Sequence, residues 1–166
     1  MSVRVRLGRR LRDSLVNSIL GDFIRRAVRS HPYVYGPQDR VQLGEGVVLN
    51  DALLNTSSGT ISFGRYAFCG HGVSILTGTH EVDGVHGRER QDAAPTEGRN
   101  VVIGEGAWIA SNATVLGPAT IGDHAVVAAG AIVSGEVPPH SIVGGIPAKV
   151  LRYQRPSPNT SPPHTP

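Results

Sequence analysis

The sequence predicts a mainly β fold, a parallel β-solenoid whose stacked coils form a narrow triangular prism. Three observations carry that prediction. From Ile103 onward an aliphatic residue falls at every sixth position: Ile103, Ile109, Val115, Ile121, Val127 and Val133. The position four residues after each is small or apolar: Ala107, Ala113, Ala119, Ala125, Ala131 and Val137. One stretch, Glu81 to Arg99, lacks any aliphatic frame. Neither a period of 3.6 nor one of 2 produces such a pattern, and an internal repeat decides architecture before local propensity does. Six residues make one short strand and one sharp turn, and three such units close a coil. Stacked coils pair strands about 4.8 Å apart and bury the first-slot side chains in a column. The small fifth slots fit tight corners.

The frame extends upstream. LGEGVV and LNDALL start at Leu43 and Leu49, and FGRYAF, CGHGVS and ILTGTH start at Phe63, Cys69 and Ile75. Two residues beyond two units separate Leu49 from Phe63, which predicts a bulge near Ser57–Gly59. The stretch from Glu81 to Arg99 carries Asp83, Arg88, Glu89, Arg90, Asp92 and Glu97 and reads as a loop thrown out of the prism. A long loop inside a compact repeat is usually functional. Pro138–Pro139 breaks the frame, since proline cannot continue a paired central strand.

The domain reading is a basic amphipathic helix at 1–30, a β-solenoid domain at 31–152 with its loop at about 81–99, and a Pro-rich tail at 153–166 that packs into nothing. Residues 1–30 hold eight Arg and two Asp, so the basic balance belongs to this arm and not to the repeat body. Leu11, Leu15, Ile19 and Phe23 form one stripe of a helix about 27 Å long at about 1.5 Å per residue. Two readings stay open: the stripe caps an open edge of the prism, or it lies on an anionic membrane face. No aromatic residues interleave with the charge and no recognition motif is present, which argues against nucleic acid. Asp13, Asn17, Ser18 and Asp22 interrupt any signal-peptide core, and no run is long enough to span a bilayer. The single cysteine, Cys69, occupies a first slot and reads as a small buried hydrophobe. With no internal disulfide, the expected compartment is the reducing cytoplasm, with the inner face of the cell membrane as the alternative.

His80 closes the motif ILTGTH at the point where the chain leaves the prism, well placed for a general base. His86 lies inside the loop and is its main rival. His71 and His124 fall in outward slots, and His31, His140 and His164 sit beside prolines. The seven do not adopt metal-ligand spacing, and no metal is expected.

The repeat, TGTH before the excursion, IGEGAWIAS after it, and the ending VVAAGAIVSGEVPPHSIVGGIPAKVLR resemble the hexapeptide-repeat O-acetyltransferases, among them the galactoside and maltose enzymes and their polysaccharide-modifying relatives. The resemblance covers about residues 43–152. It implies a left-handed parallel β-helix, a homotrimer with active sites between subunits, and acetyl-CoA in a groove between neighbouring prisms. It places the catalytic base on His80 and a substrate-facing asparagine on Asn50. Asn55 is the alternative, with a corner-turn role as its competing reading. Trp108 falls beside the pantetheine and Ser111 faces the thioester oxygen. Ala129 and Ser134 fall in the cofactor-binding segment, and Lys149 and Arg152 at the phosphates. Two departures stand out. Gly135 replaces a lysine often found after Ser134, and Ser58 replaces an acidic residue that grips the sugar. The expected activity is acetyl transfer from acetyl-CoA to a hydroxyl of a sugar or sugar-containing acceptor. An amine or non-sugar alcohol acceptor, a zinc hydratase and a non-catalytic membrane-associated scaffold are the competing readings.

Overall fold

A computed structural model describes residues 31–155. The expected N-terminal helix and all but the start of the expected tail lie outside these residues. The strands run β1 (Tyr33–Tyr35), β2 (Val41–Leu43), β3 (Leu53–Asn55), β4 (Ile61–Phe63), β5 (Phe68–Cys69), β6 (Ser74–Leu76), β7 (Val101–Ile103), β8 (Trp108–Ile109), β9 (Thr114–Ile121), β10 (Val126–Val127), β11 (Ile132–Val137), β12 (Ser141–Gly145) and β13 (Ala148–Tyr153). A short helix, α1 (Gly87–Asp92), lies between β6 and β7.

Strand pairing builds the three faces of a prism. The first face stacks β1, β3, β6 and the leading halves of β9 and β11. The second stacks β2, β4, β7 and the trailing halves of β9 and β11. The third stacks Val48, β5, β8, β10 and β12. All these pairings are parallel, and the chain visits the faces in the same order in every coil. This is a β-solenoid of hexapeptide repeats, consistent with the left-handed β-helix that the resemblance implies.

Within each coil a face receives a short paired segment of mainly β-branched, aliphatic or aromatic residues, and their inward positions stack from rung to rung into files of buried side chains. Ile75, Ile103, Ile109, Val115, Ile121 and Val127 are all buried, as are the fifth-slot alanines Ala107, Ala113 and Ala125. Cys69 takes its place in the same file. Leu43 departs from the expectation for a first slot: it is 54% exposed because its coil is the first among the described residues, with no rung beneath it.

The corners impose a further demand that the aliphatic frame does not reveal. At Gly64 an added Cβ would sit 2.6 Å from the Glu105 nitrogen, and at Gly104 it would sit 2.6 Å from the Asp123 nitrogen. The rungs approach so closely here that only glycine fits.

Register measures the insertions. Val41 pairs with Ile61 across the turn at Ser57–Gly59, where the bulge was expected. Ser74 pairs with Thr114, 40 positions on, whereas Thr114 pairs with Ile132, 18 positions on; the coil carrying the loop therefore holds 22 extra residues. The loop is not structureless, because α1 forms within it and the Glu81 N–H donates to the Ala93 carbonyl at 2.8 Å across its base. At the other end, Pro138–Pro139 occupies a corner rather than a strand, and β12 resumes the third face. β13 then returns antiparallel to β12, so paired chain reaches Tyr153, past the expected domain end at Arg152.

Candidate active site

The candidate residues lie on two different edges of the prism. The loop edge joins the first face to the second, and the chain crosses it between β6 and β7. Thr77, fully buried, donates its hydroxyl to the Asn55 carbonyl at 2.8 Å and accepts the Ser58 N–H at 3.1 Å. Arg99 Nε donates to the Thr77 carbonyl at 2.8 Å, and Arg40 Nη1 donates to the Thr96 carbonyl at 2.9 Å. Both ends of the loop are thus tied to the prism.

His80 stands at the loop's start. Its Nδ1 lies 2.9 Å from the Arg90 carbonyl in α1. A carbonyl oxygen only accepts, so Nδ1 carries a hydrogen, and in the neutral ring Nε2 bears the lone pair. Arg90 fixes its own helix by donating from Nη2 to the Val82 and Val85 carbonyls at 3.2 and 2.9 Å. His86, the rival histidine, sits exposed at the N-terminus of α1 and makes no capping bond. Asn55 packs beneath the same segment: a Cβ on Gly78 would fall 2.6 Å from its Nδ2. Its Oδ1 accepts the Ser57 N–H at 2.9 Å, which is the corner-turn geometry weighed against a substrate role. Ser58 is fully buried, and its hydroxyl finds no partner among the described residues, so it does not line an open pocket. Ser134 ends the leading half of β11 and also reaches this edge.

The second edge joins the third face to the first. Asn50 lies there, in a left-handed turn at φ 50, and donates Nδ2 to the Cys69 carbonyl at 2.7 Å. Ser111 and Ala129 occupy the same edge on later rungs, and neither N–H is taken by another backbone group among the described residues. A cleft of about 410 Å³ opens here, lined by Asp51, His71, Gly72, Ser111 and Asn112. Asp51 Oδ1 lies 3.1 Å from His71 Nδ1 and accepts the Gly72 N–H at 3.0 Å. Burial pushes the Asp51 carboxyl up, but hydrogen bonds from Gly72, its own backbone and His71 outweigh this and hold it below the ordinary value. Ser111 Oγ accepts the His71 N–H at 3.2 Å. The sequence reading put His71 in an outward slot but missed its carboxylate partner. The available signal was the spacing: Asp51 and His71 are 20 positions apart, as are the paired residues Val41 and Ile61.

Trp108 sits on the third face, 41% exposed and stacked on Phe68 with ring centroids 5.7 Å apart. Lys149 and Arg152 are exposed on β13, paired with Gly144 and Ile142. The structure therefore brings Asn50, Ser111 and Ala129 together along one edge, with Trp108 on the strand leading into it. It places His80 and Ser134 on the other, across the width of the first face. Among the described residues no group of three or more His, Cys, Asp or Glu converges to hold a metal.

Cys69 is buried, and desolvation pushes its thiol up to about 12. A thiol reagent at pH 8 is expected to leave the native protein unlabelled and to react with one thiol after denaturation. Because the folded pKa is raised, this burial favours folding below the thiol's ordinary value, and the benefit is lost as pH rises towards 12.

Residues 100–135 match the family model described as bacterial transferase hexapeptide (six repeats). The chain is a hexapeptide-repeat protein. Serine acetyltransferase 2 of Arabidopsis thaliana is 41% identical to this hexapeptide-repeat chain over 111 residues, 67% of the chain and 30% of the plant protein. The chain thus spans less than a third of that relative's length. The solved hexapeptide-repeat acetyltransferase of Vibrio cholerae complexed with acetyl-CoA matches with a TM-score of 0.53 and 25% identity, over 77% of this chain and 73% of the other. A maltose O-acetyltransferase from Clostridium difficile shares the fold with a TM-score of 0.61 at 24% identity, over 82% of this chain and 75% of the other.

Proposed function

We propose that this hexapeptide-repeat chain transfers the acetyl group of acetyl-CoA to a hydroxyl of a sugar or sugar-containing acceptor. The observation that carries the reading is the His80 ring, held through Nδ1 by the Arg90 carbonyl so that Nε2 has its lone pair available at the mouth of the extruded loop. A general base needs that tautomer and that anchoring. His80 Nε2 takes the hydroxyl proton as the acceptor oxygen bonds to the thioester carbon. The C–S bond then breaks, and the imidazolium returns the proton to the departing thiolate. Ser111 and the open N–H groups beside it receive the charge that develops on the carbonyl oxygen, a contribution of roughly 3–4 kcal/mol for a good donor. Trp108 flanks the pantetheine, Ala129 and Ser134 line the cofactor groove, and Lys149 and Arg152 meet the phosphates.

His80 and the Asn50–Ser111 edge lie at opposite ends of the first-face strands. One prism therefore does not close the site by itself. A homotrimer with the loop edge of one subunit against the Asn50 edge of the next supplies both halves. The sugar acceptor rests on the resemblance of TGTH, the loop and the IPAKVLR ending to the galactoside and maltose enzymes. A second reading, free serine as the hydroxyl acceptor, is supported by the 41% identity to the plant serine acetyltransferase. Free-thiol release from acetyl-CoA, measured with sugars, amino sugars, nucleotide sugars and L-serine, tests both. Release with a saccharide supports the first reading and release with L-serine alone replaces it. No release with any acceptor and no CoA binding would overturn both.

The apolar side chains left exposed on the first described coil support a capping reading of the N-terminal segment. Leu43 and Val48, in the first coil among the described residues, are more than half exposed. We assign that segment a capping role. Deleting residues 1–30 is expected to lower Tm in a thermal melt, by about 2–4 °C per kcal/mol lost. An unchanged Tm, with vesicle binding lost on deletion, would favour the membrane reading instead. No helix among the described residues is long and apolar enough to cross a membrane.

A further inference from the structure

The edge that carries Asn50 and Ser111 holds a second imidazole that the proposed mechanism does not use. His71 projects from the cleft with 68% of its side chain exposed, while its Asp51 partner is 23% exposed. Three contacts hold the pair in place. Asp51 Oδ1 accepts from the Gly72 N–H at 3.0 Å and lies 3.1 Å from His71 Nδ1. The His71 backbone N–H donates to Ser111 Oγ at 3.2 Å. Asn112, whose N–H donates to the His71 carbonyl at 2.9 Å, completes the wall. An ionised carboxylate only accepts, so Nδ1 carries a hydrogen and Nε2 is the atom turned outward. A carboxylate–imidazole pair with its backbone bonded to the side chain of Ser111 is a built arrangement, more than a histidine left on a surface.

We infer that His71, oriented by Asp51, is a specificity-determining residue that hydrogen-bonds the acceptor through Nε2 beside the hydroxyl being acetylated. The inference rests on the transferase reading above and on Ser111 marking the thioester. Three features favour the acceptor over the cofactor. The cleft is about 410 Å³, and Asp51, His71, Ser111 and Asn112 bring polar groups to its lining, which suits a small polyhydroxylic molecule. Its wall presents an acceptor-or-donor ring nitrogen, a carboxylate and a carboxamide, groups that pair with hydroxyls. The apolar surface suited to a pantetheine arm lies instead at Trp108 and Phe68 on the third face. Asp51 acts through His71 as a positioning residue.

The test uses the full chain with acetyl-CoA and whichever acceptor the panel identifies. His71→Ala is expected to raise the KM for acceptor about tenfold, the loss of one good hydrogen bond, with a smaller change in kcat. Asp51→Asn is expected to raise it less, and His71→Gln to recover part of the loss. The Kd for CoA, measured by calorimetry, stays within about twofold of wild type in all three. Circular dichroism melts check that the fold persists. An acceptor KM that does not move in His71→Ala overturns the inference while leaving the transferase reading intact. A CoA Kd that rises in step with the acceptor KM also overturns it, placing His71 at the cofactor. A wild type that neither turns over nor binds CoA overturns the transferase reading, and this inference falls with it.

Discussion

His80→Ala is expected to lower kcat by about 10²- to 10⁴-fold, the usual contribution of a positioned general base, while Tm and CoA affinity stay near wild type. The ring is exposed and, among the described residues, bonds the Arg90 carbonyl, so removing it takes away no core packing. A loss of kcat with CoA binding kept is the signature of a group that acts on the reacting atoms. His80→Asn is an informative companion, because its amide can still donate to the Arg90 carbonyl and so preserve the loop. If His80→Asn is as inactive as His80→Ala, the lone pair of Nε2 and not the loop's anchoring is what the reaction needs. A His80→Ala enzyme with kcat within about threefold of wild type would remove the base from this position, and His86 and His71 would be the next to substitute.

Gly104→Ala is expected to destabilise the prism by about 1–3 kcal/mol, a fall in Tm of about 2–12 °C. The added Cβ would lie 2.5 Å from Asp123 Oδ1 and 2.6 Å from the Asp123 nitrogen. The first of these contacts can swing away, but the second is backbone. Relief requires the two rungs to separate, which lengthens the ladder bonds on either side, and the Asp123 Oδ1 bond to the Glu105 N–H at 2.8 Å is lost as well. Val102→Ala, on the outward side of the adjoining strand, is expected to stay within about 0.5 kcal/mol. Equal melting temperatures for Gly104→Ala and wild type would mean that the corner relaxes more freely than its contacts suggest.

Much of this was legible before any coordinates. First-slot aliphatics and fifth-slot alanines predicted the buried files, and the missing frame between Glu81 and Arg99 located the loop. Cys69 was placed in the core by its slot alone. The corner glycines were harder to read. Gly64 and Gly104 occupy the slot after each aliphatic position, but the need for glycine there comes from the backbone of the next rung, which is distant in sequence. The helix α1 was missed because the five polar residues between Gly87 and Ala93 carry no apolar stripe to reveal it. The pairing of Asp51 with His71 was missed for a different reason: a slot tells whether a side chain points in or out, not which residue stands above it.

That distinction separates what each level decided. A period of six with its first and fifth slots inward leaves few ways to bury the apolar positions, so the sequence by itself determined the coil, its core and the point where the loop leaves it. Which residues share an edge was decided by the tertiary structure, because each insertion shifts the register of everything stacked on it. The two extra residues near Ser57–Gly59 and the 22 of the loop set which rungs meet. Ser111 and Ala129, three six-residue units apart, share an edge by the repeat alone, but that Asn50 lies on that edge depends on the insertions between them, which six-residue spacing does not encode.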